Sequence, residues 1–175
     1  MKKISIIACM LTLIIATSCA DYNRVVKTQD YEYKYEVAKQ YYAEGMYNRA
    51  ALLIQDVLSV LKGTDQGEES LYLSGLCNMK AHSYDAASTI FRKYYQTYPR
   101  GKYVEEARYN CGLSLYYITP EPKLDQSETY QAVTEFQNFI ENFPSSRLRP
   151  QAQEMIFKLQ DKLVEKEYLS AKLYY

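Results

Sequence analysis

Apolar positions along this chain recur at helical spacing, in blocks about four turns long with short polar breaks between them. The pattern predicts helices over Tyr31–Glu44, Tyr47–Leu61, Glu68–Lys80, Tyr84–Tyr98, Lys102–Tyr117 and Ser127–Asn142. Gly45 ends the first block as a C-terminal glycine does, and Lys62-Gly63-Thr64-Asp65 closes the second. Pro99 and Pro144 stop the fourth and sixth. Thr119-Pro120-Glu121-Pro122 breaks the fifth, because proline lacks an amide donor and restricts the residue before it. From Arg147 to Tyr175 there is no glycine and only Pro150. That stretch predicts one long helix or two abutting ones, with Met155, Ile156, Leu159 and Leu163 on the apolar face.

The helices come in repeating pairs. Glu32-x-x-Tyr35-x-x-Ala38 returns as Glu69/Tyr72/Gly75 and Glu106/Tyr109/Gly112, each 37 residues after the last, and out of step as Glu165/Tyr168/Ala171. The second helix of each pair repeats as well: Ala50/Ile54/Val57, Ala87/Phe91/Tyr94 with Pro99, and Ala132/Phe136/Phe139 with Pro144. The last step, from Ala87 to Ala132, is 45 residues, so the extra eight fall in the proline-flanked segment 119–128. Small residues let helices approach and the large ones fill the seam. No single pair can bury its apolar face alone, so such arrays stack. The positions Gly45-x-Tyr47-x-x-Ala50 and Tyr84-x-x-Ala87-x3-Phe91 with Pro99 resemble the tetratricopeptide repeat. The usual Trp and Leu of that repeat's first helix are absent, and the period is longer than its usual value of about 34. The resemblance implies an all-α fold of helical hairpins stacked as a right-handed superhelix. It divides the chain into repeats at 31–64, 68–99 and 102–144, with the first helix of a further repeat at 147–175.

The N-terminus follows a different logic. Lys2 and Lys3 precede an uncharged stretch from Ile4 to Ala20, short for a membrane span, which needs about 20 apolar residues. Basic, apolar and small-residue regions in that order describe a secretory signal. Ile15-Ala16-Thr17-Ser18-Cys19 resembles the bacterial lipobox, although Ala16 stands where Leu is preferred. The expectation is a signal peptide over 1–18, acylation of Cys19, palmitate being one such chain, and a polar, aperiodic tether over 19–30. An ordinary secretory signal with an incidental Cys is the alternative. Cys77 and Cys111 lie on apolar-patterned helices and are read as buried small hydrophobes, though export permits a disulfide.

Charge and composition narrow the functions. The chain has 21 basic and 21 acidic residues, a balance that does not favour a phosphate backbone as partner, since such binding needs clustered cations. Its single histidine, His82, falls in a predicted turn, and neither a Ser-His-Asp set, a CxxC pair nor a Gly-rich phosphate loop occurs. The pairs Glu68/Glu69 and Glu105/Glu106 read as solvated first turns, where carboxylates meet the positive end of a helix. No enzyme, metal or cofactor is implied. Tyrosine is the distinctive residue: there are 20, with no Trp. In tetratricopeptide geometry Glu32, Tyr35, Lys39 and Tyr42 face the inner surface of the first repeat. Glu69 and Tyr72 take those places in the second, and Glu106, Tyr109 and Tyr116 in the third. Either these rings floor a peptide groove with an acidic edge, or they only pack helix on helix. The doubled tyrosines at 41–42, 94–95, 116–117 and 174–175 are expected to put one ring in and one out.

Lipobox, tether and hairpins in this order resemble the BamD family of outer-membrane β-barrel assembly lipoproteins. The most specific stretch is Leu163–Tyr175, similar to the family's join between its third and fourth repeats. Tyr94–Tyr98 with Pro99 and Phe139–Phe143 with Pro144 resemble its repeat ends. The resemblance implies a lipid-anchored periplasmic adaptor at the outer membrane, with a BamA-like barrel insertase and unfolded outer-membrane proteins as partners. Tyr168-x-x-Ala171-Lys172-x-Tyr174-Tyr175 reproduces Tyr35-x-x-Ala38-Lys39-x-Tyr41-Tyr42 and then stops, so a truncated form of a longer protein is expected. The alternative functions are a glycan-binding lipoprotein on the same scaffold and a cell-envelope scaffold.

Overall fold

The computed structural model describes residues 22–173. The expected signal peptide, Cys19, Tyr174 and Tyr175 lie outside them. After a short helical segment over 22–27, seven longer helices follow in order among the described residues: α1 (Tyr31–Ala43), α2 (Tyr47–Val60), α3 (Asp65–Lys80), α4 (Tyr84–Thr97), α5 (Val104–Ile118), α6 (Ser127–Asn142) and α7 (Arg149–Lys172). Each packs against the next, and the first helices of successive pairs also touch, α1 with α3 and α5 with α7. The fold is therefore all-α, with stacked helical hairpins. The stretch after Pro144 is one long helix. Its buried face is set by Ala152, Ile156 and Leu159, with Met155 at the edge.

Local chemistry fixes the starts and turns. Asp30 caps α1 by accepting from the Tyr33 amide at 2.9 Å, and Thr64 caps α3 by accepting from the Gly67 amide at 3.1 Å. Gly45 turns the first hairpin with φ +78°. Thirty-seven residues on, His82 takes the same left-handed conformation with φ 59°, which a side chain rarely adopts. Its Nδ1 lies 2.6 Å from the Tyr84 hydroxyl.

Inside each hairpin a small residue meets a large one. A Cβ on Gly75 would come within 2.5 Å of Phe91, and one on Gly112 within 3.0 Å of Phe136. Two buried clusters result. The first holds Ala38, Tyr41, Ala50, Leu53, Ile54, Leu73 and Cys77; the second runs from Leu71 and Phe91 through Cys111 and Phe136 to Leu159. Cys77 and Cys111 are free and buried, and burial pushes each thiol up to about 12.

Two expectations need correction. The segment expected as an aperiodic tether contains a helical turn over 22–27. Its Val25 is 4% exposed within the first cluster, because α1 has no preceding hairpin to cover it. The 94–95 tyrosines are both buried rather than one in and one out, since Tyr95 is held between repeats. Its hydroxyl lies 3.1 Å from both carboxylate oxygens of Glu135 on α6, which also pairs with Arg92 at 2.9 Å.

The eight extra residues before α6 fold back on themselves. Gln126, 2% exposed, donates to the Glu121 carbonyl at 2.8 Å and accepts from the Thr129 hydroxyl at 2.7 Å. From α7, Lys162 reaches the Thr119 hydroxyl at 2.5 Å and Lys166 the Leu124 carbonyl at 2.8 Å.

Candidate functional site: the tyrosine–glutamate face of the first helices

Tyr35, Tyr72 and Tyr109 stand at equivalent places on α1, α3 and α5, and each ring packs into its own hairpin. Tyr72 lies 5.9 Å from Phe91 and 5.8 Å from Tyr94; Tyr109 lies 5.8 Å from Phe136 and 5.6 Å from Phe139. Tyr35 is 3% exposed, so its ring is a packing element. Tyr72 and Tyr109 are half-buried, as are Tyr42 and Tyr116.

The hydroxyls point to the next repeat. Burial, and then a hydrogen bond to Glu69 of α3, pushes the Tyr35 hydroxyl up from its ordinary value. Burial and the nearby Glu106 of α5 push Tyr72 up to about 12. Tyr109 is raised by burial, by Tyr117 and by Glu154 of α7. A tyrosine of one repeat thus meets a carboxylate on the first helix of the following one. At Glu69 and Glu106 that carboxylate is the glutamate of the repeating motif, whereas Glu154 lies outside it. Glu32 has no preceding repeat to serve and is exposed.

Cations and further rings complete the face. Lys39 sits 4.8 Å above the Tyr35 ring and 3.8 Å from Glu69. Tyr103 stacks on Tyr72 with centroids 4.5 Å apart and planes 2° from parallel, and Lys102 lies over Tyr103 at 4.9 Å. A donor, Asn110, stands 3.5 Å from the Tyr72 hydroxyl. Rings, carboxylates and amine heads side by side can take an extended peptide, covering apolar side chains and pairing with its backbone.

The face opens at the N-terminal ends of α3 and α5 into two recesses. One of about 330 Å³ is lined by Asp65, Glu68, Glu69, Lys102 and Tyr103. The other, about 660 Å³, lies between Glu105 and Glu106 and the turn from Asn142 to Leu148. Here the structure corrects the reading of the paired glutamates as merely solvated. Glu68 Oε1 accepts from the Tyr94 hydroxyl at 2.5 Å and the Lys102 amide at 2.6 Å, and the same hydroxyl accepts from the Tyr103 amide at 2.9 Å. Glu105 accepts from the Ser146 hydroxyl at 2.5 Å, one repeat later. The first glutamate of each pair latches the turn between repeats, while the second faces the tyrosine. Sequence reasoning missed Glu68, Glu105 and Tyr103, although Glu68 and Glu105 are themselves 37 residues apart.

Comparison with known proteins bears on the whole array. The family model YfiO, described as "Outer membrane lipoprotein", matches residues 28–175, a span that includes all seven helices. A curated relative, "Outer membrane protein assembly factor BamD" of Pasteurella multocida (strain Pm70), is 24% identical over 184 residues. The match covers 99% of this chain and 70% of that protein.

Proposed function

The chain belongs to the YfiO family of outer membrane lipoproteins, and from that membership we propose that it is a non-enzymatic adaptor of outer-membrane β-barrel assembly. The observation that carries the reading is the extent of the match, which takes in every named helix together with the face that joins the repeats. The relative named as an assembly factor supports it. In this reading Cys19 carries the lipid that holds the chain on the periplasmic face of the outer membrane. The stacked hairpins dock the barrel insertase, and the first-helix face receives segments of unfolded barrel proteins.

Receiving such a segment requires partly exposed rings and polar groups that can take a further partner. Tyr72, Tyr109 and Tyr116 supply half-buried rings, and Glu69 and Glu106 supply carboxylates beside them. Tyr35 contributes its hydroxyl edge through Glu69. Isothermal titration with a peptide ending in an aromatic residue tests this half of the reading. Tyr72→Ala should lower affinity by about 1–3 kcal/mol if the ring is a central anchor. A fall in melting temperature with unchanged affinity of the folded fraction would leave the face as helix packing alone.

A further inference from the structure

The turn over 22–27 decides which end of the array meets the lipid, given the anchor at Cys19 on which this inference rests. Tyr22 lies 6.0 Å from Tyr41 in the last turn of α1, and the Arg49 guanidinium in the first turn of α2 lies 5.2 Å from the Tyr22 ring. The chain then runs back along α1, with Val25 buried in the first cluster, before α1 starts at Tyr31. Residue 22 therefore sits beside the Gly45 turn, about 20 Å from the opposite end of α1 at a rise of about 1.5 Å per residue. Three residue steps separate it from Cys19, at most about 11 Å of fully extended chain.

The same end of the molecule is continuous across the hairpins. One recess is lined by Gly45–Arg49 and Ala81, which puts the first two hairpin turns side by side. Tyr84, just past the His82 turn, stacks on Tyr117 at 4.6 Å. Tyr117 leads into the 119–126 segment, which is held by Lys162 and Lys166. Apolar and aromatic groups stand open here: Tyr117 is 50%, Leu124 58% and Tyr130 56% exposed, and Lys123 is exposed beside them. The opposite end presents Lys62, Thr64, Arg100, Lys102, Ser145 and Arg147 in its turns. Amphipathic tyrosine rings beside an open leucine suit the headgroup level of a bilayer, where ring bodies meet acyl chains and polar tips meet water.

We propose that the end of the array carrying the hairpin turns, with Tyr117, Leu124 and Tyr130 at its surface, lies against the phospholipid surface. The array would then stand with its inter-repeat turns away from the membrane. Those turns border the recesses by Glu69 and Glu106, which leaves them open to the periplasm.

The test uses the mature, lipidated chain on vesicles of phosphatidylethanolamine and phosphatidylglycerol that carry a nitroxide quencher in the acyl region. Single labelling sites are introduced by Lys123→Cys at one end and Arg100→Cys at the other. Cys77 and Cys111 are buried, with thiols held up to about 12, and so stay unlabelled. The expected result is quenching severalfold stronger at position 123 than at position 100. Equal quenching at both, stronger quenching at position 100, or none at either overturns the orientation. Flotation with the same vesicles tests the anchor separately. Cys19→Ser should abolish it, and flotation unchanged by Cys19→Ser would overturn the anchor and this inference together.

Discussion

In the first hairpin Ala38 of α1 shares its cluster with Leu53 and Ile54 of α2, and Val57 of α2 is buried as well, so the wall is aliphatic. In the second, the equivalent residue is Gly75 of α3, and the wall is Phe91 and Tyr94 of α4. One methyl is lost from the first helix where aromatic rings are gained on the second. The second hairpin then does something the first does not. Tyr94 brings a hydroxyl into the core, and that hydroxyl ties Glu68 to the turn at Tyr103. The first hairpin, with Val57 there, has no such tie and is covered instead by the 22–27 turn. A repeat unit thus fixes where side chains meet, while the choice of residue decides whether the unit also latches its neighbour.

The sharpest way to break this comparison is to remove the latch. Tyr94→Ala should cost about 3–5 kcal/mol of stability, the range for losing a large buried ring. Tyr94→Phe keeps the ring but leaves the Tyr103 amide without its acceptor, for about 1–3 kcal/mol. Urea unfolding monitored by circular dichroism checks both. A Tyr94→Phe variant as stable as the parent would reduce the latch to packing.

The seam itself is tested next. Gly75→Ala should destabilise despite the better helix propensity of alanine, because its Cβ would lie 2.5 Å from Phe91. Overpacking costs about 1–3 kcal/mol, against a propensity gain of about 1 kcal/mol. Gly112→Ala, with 3.0 Å to Phe136, should be milder. Combining Gly75→Ala with Phe91→Ile recreates the pairing of the first hairpin, so the double variant should be more stable than the sum of the singles by about 0.5 kcal/mol or more. Strict additivity would contradict the coupling.

Alkaline pH acts on the same contrast without mutation. The Tyr72 hydroxyl is held at about 12 in the folded chain against an ordinary value of 10.0, chiefly by burial, and Tyr94 and Tyr95 are raised for the same leading reason. A raised folded value means that the neutral form is favoured by folding. That stabilisation is complete below about pH 10 and is lost as pH climbs towards about 12. Phenolate absorbance should therefore lag behind that of free tyrosine and then rise together with unfolding.

The smallest effect concerns the turns. His82→Gly relieves a left-handed conformation that Gly45 occupies freely, but it forfeits the contact with Tyr84. The two offset, and a change within about 0.5 kcal/mol is expected in a thermal melt.

Much of this architecture was legible from spacing. The period of 37 placed the hairpins, Gly45 and His82 fell in their turns, and Gly75 and Gly112 were readable as close approaches. The 22–27 turn was not legible, because a single buried valine among polar residues has no period. Nor was the burial of both Tyr94 and Tyr95, since the partner that draws Tyr95 inward, Glu135, is 40 residues away on another helix. The tyrosine stripe was visible, but its link to the glutamate of the next repeat depends on stacking distances that one repeat cannot reveal. Cys19 lies outside the described residues.

The most direct test of the account is affinity purification of the lipidated chain from its native cell envelope under mild detergent. The account predicts co-purification of a barrel insertase with its soluble periplasmic domains, together with unfolded barrel proteins. Recovery of glycan-processing or peptidoglycan enzymes with no insertase would contradict it.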